Sequence, residues 1–179
     1  MRIILVGAPG SGKRELAEAV AEALDIEVAD DPVTVMGPDD PAVGMLTDYR
    51  IEMQMALLRA LRPSSKDEIF THSLIDSTAY STLKLDDMID ADADMPDTFR
   101  WILAAGAITS VAEDSFQADF IFLLPGYDDD GLDFNKRLYE TLVEVLELAV
   151  PEYVLIQGDL ERRVEIIRNV VQSEAGETE

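Results

Sequence analysis

The chain has 179 residues, 47% of them hydrophobic, with no Cys, one His and a formal charge of −23. This is enough apolar material for one domain with a core, and it excludes disulfides, thiolate catalysis, cysteine zinc sites and a His-rich metal site. So acidic a surface repels phosphate backbones, which argues against general nucleic-acid binding and is explained most simply by solubility.

The chain opens on Arg2-Ile-Ile-Leu-Val6, and Ile3–Val6 has the pattern of a buried parallel strand. Gly7-Ala-Pro-Gly-Ser-Gly-Lys13 follows at once, and Glu15–Leu24, rich in Ala, Glu and Leu, reads as a helix with Leu16, Val20 and Leu24 on one face. A strand, then G-x-x-x-x-G-K, then a helix is the context that a phosphate-binding loop requires. Gly7, Gly10 and Gly12 permit tight turns with consecutive N–H groups pointing inward. Ala8, Pro9 and Ser11 complete the cradle, and Lys13 is placed to reach the β- and γ-phosphates of a nucleotide. The motif expects Ser or Thr after the Lys as a Mg²⁺ ligand, but Arg14 and Glu15 stand there. Three accounts stay open: the nucleotide, water and other carboxylates hold the metal, Arg14 partly replaces its charge, or catalysis is weak.

Glu27–Met36 reads as a short extended segment broken by Asp30-Asp31-Pro32, and Gly37–Pro41 as a loop. A long helix is expected over about Ala42–Leu61, a strand over Glu68–Thr71, and a helix over Leu74–Met88. Asp86–Asp97 is an acidic loop whose Asp90-Ala-Asp92-Ala-Asp94 core resembles the start of a calcium loop. Met95 and Trp101 replace its required Gly and Glu, so calcium binding is rejected. Thr98–Ser115 reads as a helix, Ala118–Leu124 as a strand, Pro125–Gly131 as a loop, and Leu132–Val150 as a helix. Tyr153–Ile156 is a last strand and Leu160–Val171 a last helix. Residues 1–172 form one domain, with a lid-like segment at about 125–137, and 173–179 is a polar tail expected to fray.

Strands alternating with helices predict an α/β fold, a three-layer α/β/α sandwich with a five-stranded parallel sheet of the P-loop NTPase type. Ligand should bind at the carboxyl ends of the strands, which selects loops 7–14, 30–41, 71–76, 125–135 and 157–159. Thr71–Tyr80, sequence THSLIDSTAY, shares that edge. His72, Ser73 and Asp76 can face a nucleotide, and Asp76 can accept a proton or hold magnesium through water. Equally, Ser73 can cap the next helix and Asp76 favour its first turn.

The phosphate loop, this strand-then-HSLIDSTAY block and the lid-like segment before a long helix resemble the small P-loop nucleoside and nucleotide kinases. The nicotinamide riboside kinase, deoxynucleoside kinase and thymidylate kinase group is the nearest likeness, and predicted ATPases or kinases of bacterial viruses look especially similar. The resemblance implies ATP and Mg²⁺ and transfer of the γ-phosphoryl to a nucleoside or nucleoside monophosphate. It implies Lys13, Asp76 and Arg137 as catalytic groups, with residues 7–14 on ATP. The family's strand-end Asp-Arg-Ser block is here Thr71-His72-Ser73, and its lid Arg is missing from Asp128–Asn135, with only Lys136 and Arg137 following. His72, Ser73, Arg50 and Arg100 are candidate acceptor contacts, with Arg50 preferred.

The competing expectation is a nucleotide-binding protein of little or no catalysis, which sequesters a nucleotide or acts on a protein partner. An acidic decoy of nucleic acid ranks last, since it leaves the Gly-Lys loop a coincidence. A homodimer and a protein partner are both left open. No apolar run approaches a membrane span and no signal-peptide pattern precedes the first strand, so the expected location is the cytoplasm, that of a host if a virus encodes the chain.

Overall fold

The computed structural model describes residues 1–29, 66–76, 78–80, 82–83, 118–126, 133–150 and 152–176. The expected helices at 42–61 and 98–115, the acidic loop and the segment 30–41 lie outside them. β1 (Arg2–Val6) is buried along its whole length. It lies at the centre of a five-stranded sheet with β2 (Glu27–Val28), β3 (Glu68–Phe70), β4 (Phe120–Leu123) and β5 (Val154–Leu155). The strand order is β2-β3-β1-β4-β5 and every described pairing is parallel. Ile3 sits beside Ile69 on one side and Phe120 on the other.

Successive residues of a strand face opposite sides of the sheet, and β1 uses both sides. Ile3 and Leu5 join one core, with Leu16, Ala17 and Val20 of α1 (Lys13–Leu24), Phe122, and Ile167 and Val171 of α3 (Leu160–Gly176). Ile4 and Val6 join the other. There they meet Leu74, Ile75, Ala79 and Leu83 from the helical stretch after β3, and Leu138, Leu142 and Leu146 of α2 (Phe134–Ala149). The result is three layers, helices on both faces of one sheet, as the alternating pattern predicts. Each fully buried Leu, Ile or Phe contributes about 1.5–3 kcal/mol, so the central strand is the best-anchored element.

The elements differ from the sequence expectation mainly at their ends. α1 starts at Lys13 rather than Glu15, because Gly12 turns the chain into the helix with φ 83° and its carbonyl accepts from the Leu16 N–H at 3.0 Å. β4 and β5 are shorter than Ala118–Leu124 and Tyr153–Ile156. The ladder still continues past them, with Leu124 N–H donating to the Val6 carbonyl at 2.8 Å and Ile156 N–H to Leu123 at 3.0 Å. α3 runs on to Gly176, so much of the expected frayed tail is helical. Gln172, Ser173, Glu174 and Ala175 offer no break, and Gly176 is the first strong stop.

Candidate functional site

The parallel order brings the carboxyl ends of β1, β3, β4 and β5 to one edge, with β1 between its neighbours. The loop leaving β1 therefore emerges at the middle of that edge. Its glycines are used in different ways. Gly10 and Gly12 have φ of 81° and 83°, which L side chains rarely adopt. Gly7 matters for space: a Cβ there would lie 2.7 Å from Ser11 Oγ and 3.0 Å from the Leu124 carbonyl oxygen. Ser11 folds back beneath the loop, 4% exposed, and its Oγ has no hydrogen-bond partner among the described residues. The strand thus delivers the chain into a tight loop packed against the end of β4, and the loop delivers it into α1.

An open cleft of about 1120 Å³ lies over this loop. Residues 8–15 line it, joined by Glu18 of α1, Val28 and Ala29 at the end of β2, and Thr71 and His72 after β3. Lys13 is the central charge. Its ammonium donates to the Gly7 carbonyl oxygen, closing the loop on itself, and lies 3.5 Å from Asp76 Oδ1. Both side chains are mostly buried, 14% and 16% exposed. Asp76 Oδ2 accepts from the Ser73 N–H at 3.1 Å and from Ser73 Oγ at 2.9 Å. Ser73 stands just before the helical residues 74–76, so Asp76 reaches back to the cap residue as in a capping box. The remaining oxygen of Asp76 faces Lys13.

The other sequence candidates fall in several places. His72 is half-buried in the cleft wall, with its Nδ1 3.3 Å from Thr71 Oγ1. Ser73 is fully buried with its hydroxyl committed to Asp76, which places it as a helix cap behind the cleft rather than on its surface. Arg14 lines the cleft but its side chain is 91% exposed, and it pairs with Glu18 one turn along the helix at 3.2 Å. Arg137 is half-buried in the first turn of α2, where its backbone carbonyl accepts from Thr141 Oγ1 at 3.0 Å, and the described cleft lining does not include it. Arg50 and Arg100 lie outside the described residues, as do 127–132 of the lid-like segment.

The sequence reading missed Arg163. Its Nη1 donates to the Ser11 carbonyl at 2.9 Å and its Nε to the Gly158 carbonyl at 2.8 Å. The loop 157–159 was legible as part of the ligand edge. An arginine one turn further on, inside an amphipathic helix, carries no local signal.

The donor set fits a polyphosphate. Gly10 and Gly12 take the positive φ that a loop with inward N–H groups requires, α1 begins there, and Lys13 lines the same cleft. Magnesium has less. Position 14 offers no hydroxyl, and among the described residues no group of three or more His, Asp or Glu gathers to hold a metal. Asp76 is the carboxylate at Lys13, so a metal there would rest on the phosphates, water and Asp76.

No protein-family model and no curated protein sequence matches the chain. Solved structures do match in shape. Deoxyadenosine kinase from M. mycoides superposes with a TM-score of 0.67 at 15% identity, covering 97% of this chain and 99% of that one. The NadR protein, solved in complex with NAD and AMP-PNP, gives 0.68 at 14% identity, covering 98% of this chain and 49% of its own. Shikimate kinase from Aquifex aeolicus gives 0.58 at 15% identity, with 98% of both chains covered. With its central strand, glycine-rich loop and parallel sheet, the chain has the fold of the P-loop kinases.

Proposed function

We propose that this protein binds ATP and transfers its γ-phosphoryl group to a nucleoside or nucleoside monophosphate. The carrying observation is the placement of Lys13 and Asp76, one cation and one carboxylate within 3.5 Å, at the mouth of a Gly7–Lys13 loop at the centre of the sheet edge. The loop N–H groups and the start of α1 bind the β- and γ-phosphates. Lys13 leaves the Gly7 carbonyl and Asp76 to meet them, exchanging two internal contacts for phosphate oxygens. Asp76 then has an oxygen free beside the transferring group. For a nucleoside acceptor it takes the proton of the attacking hydroxyl as that oxygen forms its bond to phosphorus, whereas the oxygen of a monophosphate attacks as the anion and needs no base. The bond between phosphorus and the β–γ bridging oxygen breaks, and ADP keeps the electron pair. Magnesium, when bound, would neutralise charge on the phosphates; if Asp76 held it through water, that would be in place of its role as the base. His72 borders the acceptor side. Arg50 and Arg100 are the proposed acceptor contacts, and Arg137 the proposed lid cation. On this reading the protein works in the cytoplasm of its cell, or of a host cell if virus-encoded.

A second reading rests on Arg14. The residue after Lys13 offers no hydroxyl, and its side chain points to solvent against Glu18. A site of this kind binds a nucleotide with little or no transfer, and the protein then acts by holding the nucleotide or through a partner. One experiment separates the two: calorimetric titration with ATP, with and without Mg²⁺, followed by a transfer screen over nucleosides and nucleoside monophosphates. Binding with transfer to one acceptor establishes the kinase. Binding without transfer selects the second reading, and no binding refutes both.

A further inference from the structure

We infer that Arg163 is a positioning residue that sets the orientation of a phosphate-binding peptide group, an assignment that rests on the reading of Gly7–Lys13 as a phosphate loop. Arg163 lies in the first turn of α3, 152 residues from Ser11. Its planar guanidinium spans two loops, with Nη1 on the Ser11 carbonyl at 2.9 Å and Nε on the Gly158 carbonyl at 2.8 Å. A guanidinium holds two acceptors in a fixed fork, which an ammonium cannot do.

The consequence lies in the peptide between Ser11 and Gly12. No described peptide bond is cis, so the Ser11 C=O and the Gly12 N–H point in opposite directions across one rigid plane. Arg163 is not among the residues lining the cleft, whereas Ser11 and Gly12 are. Drawing the carbonyl toward Arg163 therefore turns the Gly12 N–H toward the cleft. Without that bond the plane has little to hold it. Gly12 sits at φ 83°, and glycine accepts the opposite sign of φ about as readily, so a flip costs little on its C-terminal side. A flipped peptide would present a carbonyl oxygen to the phosphate. The guanidinium also sits close behind the loop: a Cβ on Gly12 would lie 3.8 Å from Nη1. It thus brings a fixed positive charge to the loop's outer side while leaving the cleft open.

The test uses the full chain and three variants, Arg163→Met, Arg163→Gln and Arg163→Lys. ATP affinity is measured by calorimetry, the unfolding temperature without ligand by circular dichroism, and the Gly12 amide proton by ¹⁵N-resolved NMR with and without ATP. Arg163→Met is expected to bind ATP about tenfold more weakly, the loss of one charge-assisted hydrogen bond's worth of orientation. Its Gly12 amide should no longer move downfield on ATP addition, while the unfolding temperature falls by only a few degrees. Arg163→Gln, with one donor group, should fall between, and Arg163→Lys should restore part of the affinity. If Arg163→Met does not fold, the Gln and Lys variants carry the same test. A weakened variant that keeps the wild-type Gly12 response overturns the assignment, since the loss is then general packing or charge. Wild-type affinity in Arg163→Met overturns it alone and leaves the phosphate loop standing. Failure of the wild-type protein to bind ATP overturns both.

Discussion

Gly7 offers a direct test of how tightly the loop is built. A methyl group at this position would meet Ser11 Oγ at 2.7 Å, the Leu124 carbonyl oxygen at 3.0 Å and Ser11 Cβ at 3.2 Å. The nearest of these is closer than real side-chain carbons approach, and the second is backbone at the end of β4, so Gly7→Ala must shift the loop. Overpacking of this kind costs about 1–3 kcal/mol. For a domain of this size each kcal/mol lowers the unfolding temperature by about 2–4 °C, so a drop of about 2–12 °C is expected. Ser11→Gly removes two of the three contacts and deletes a buried hydroxyl that has no partner among the described residues. Alone it should lie between neutral and about 2.5 kcal/mol stabilising, because relief of about 1–3 kcal/mol of unpaired burial outweighs the roughly 0.5–1 kcal/mol entropy cost of glycine. In the Ser11→Gly background Gly7→Ala should cost about half as much, a coupling of about 0.5–1.5 kcal/mol that leaves the Leu124 contact as the remainder. Thermal unfolding of the four proteins without nucleotide completes the cycle. An alanine variant that melts within about 1 °C of wild type, or strict additivity of the two changes, would refute the packing argument.

Other substitutions address the chemistry. Lys13→Ala should weaken ATP binding by about 100-fold or more, the loss of a buried charge-assisted phosphate contact, with an unchanged circular dichroism spectrum; unaltered affinity would remove the phosphate-loop reading. Asp76→Asn keeps the size and an acceptor for Ser73 but frees Lys13. It should raise ATP affinity several-fold in the absence of magnesium and cut any transfer by about 10²–10⁴-fold, and steady-state turnover within tenfold of wild type would exclude Asp76 as the base. Arg14→Ser changes an exposed side chain, so stability should move by less than about 0.5 kcal/mol while magnesium-dependent turnover rises. A magnesium titration showing no change, with ATP still bound, would place the metal ligand elsewhere.

Much of this architecture was legible in the sequence because it rests on short-range patterns. Ile3–Val6 announces a buried strand by composition, Gly7–Lys13 a loop by spacing, and Leu16, Val20 and Leu24 a helix face by period. Strand ends were less legible, since Thr71, Leu124 and Ile156 continue the local pattern of the strands they follow. The site's wiring was the least visible. Asp76 could be named as a carboxylate on the right edge, but its contact with Lys13 joins residues 63 positions apart. Ser73 looked available because hydroxyls serve equally as caps and as ligand contacts, and burial decides between them. Arg163 was invisible because both its partners are backbone carbonyls, which leave no residue type to search for.

The central position of β1 also has a consequence for biosynthesis. Ile3–Val6 is synthesised well before one flanking partner, β4, which is Phe120–Leu123. At about 5–20 residues per second, translation reaches that strand roughly 6–25 s later. Throughout that interval a hydrophobic strand has an unpaired edge, and the helix that braces its loop through Arg163 has yet to be made. The nascent chain is therefore exposed to mispairing in that interval, and a stalled or prematurely ended product would carry the glycine-lysine motif without a finished site around it.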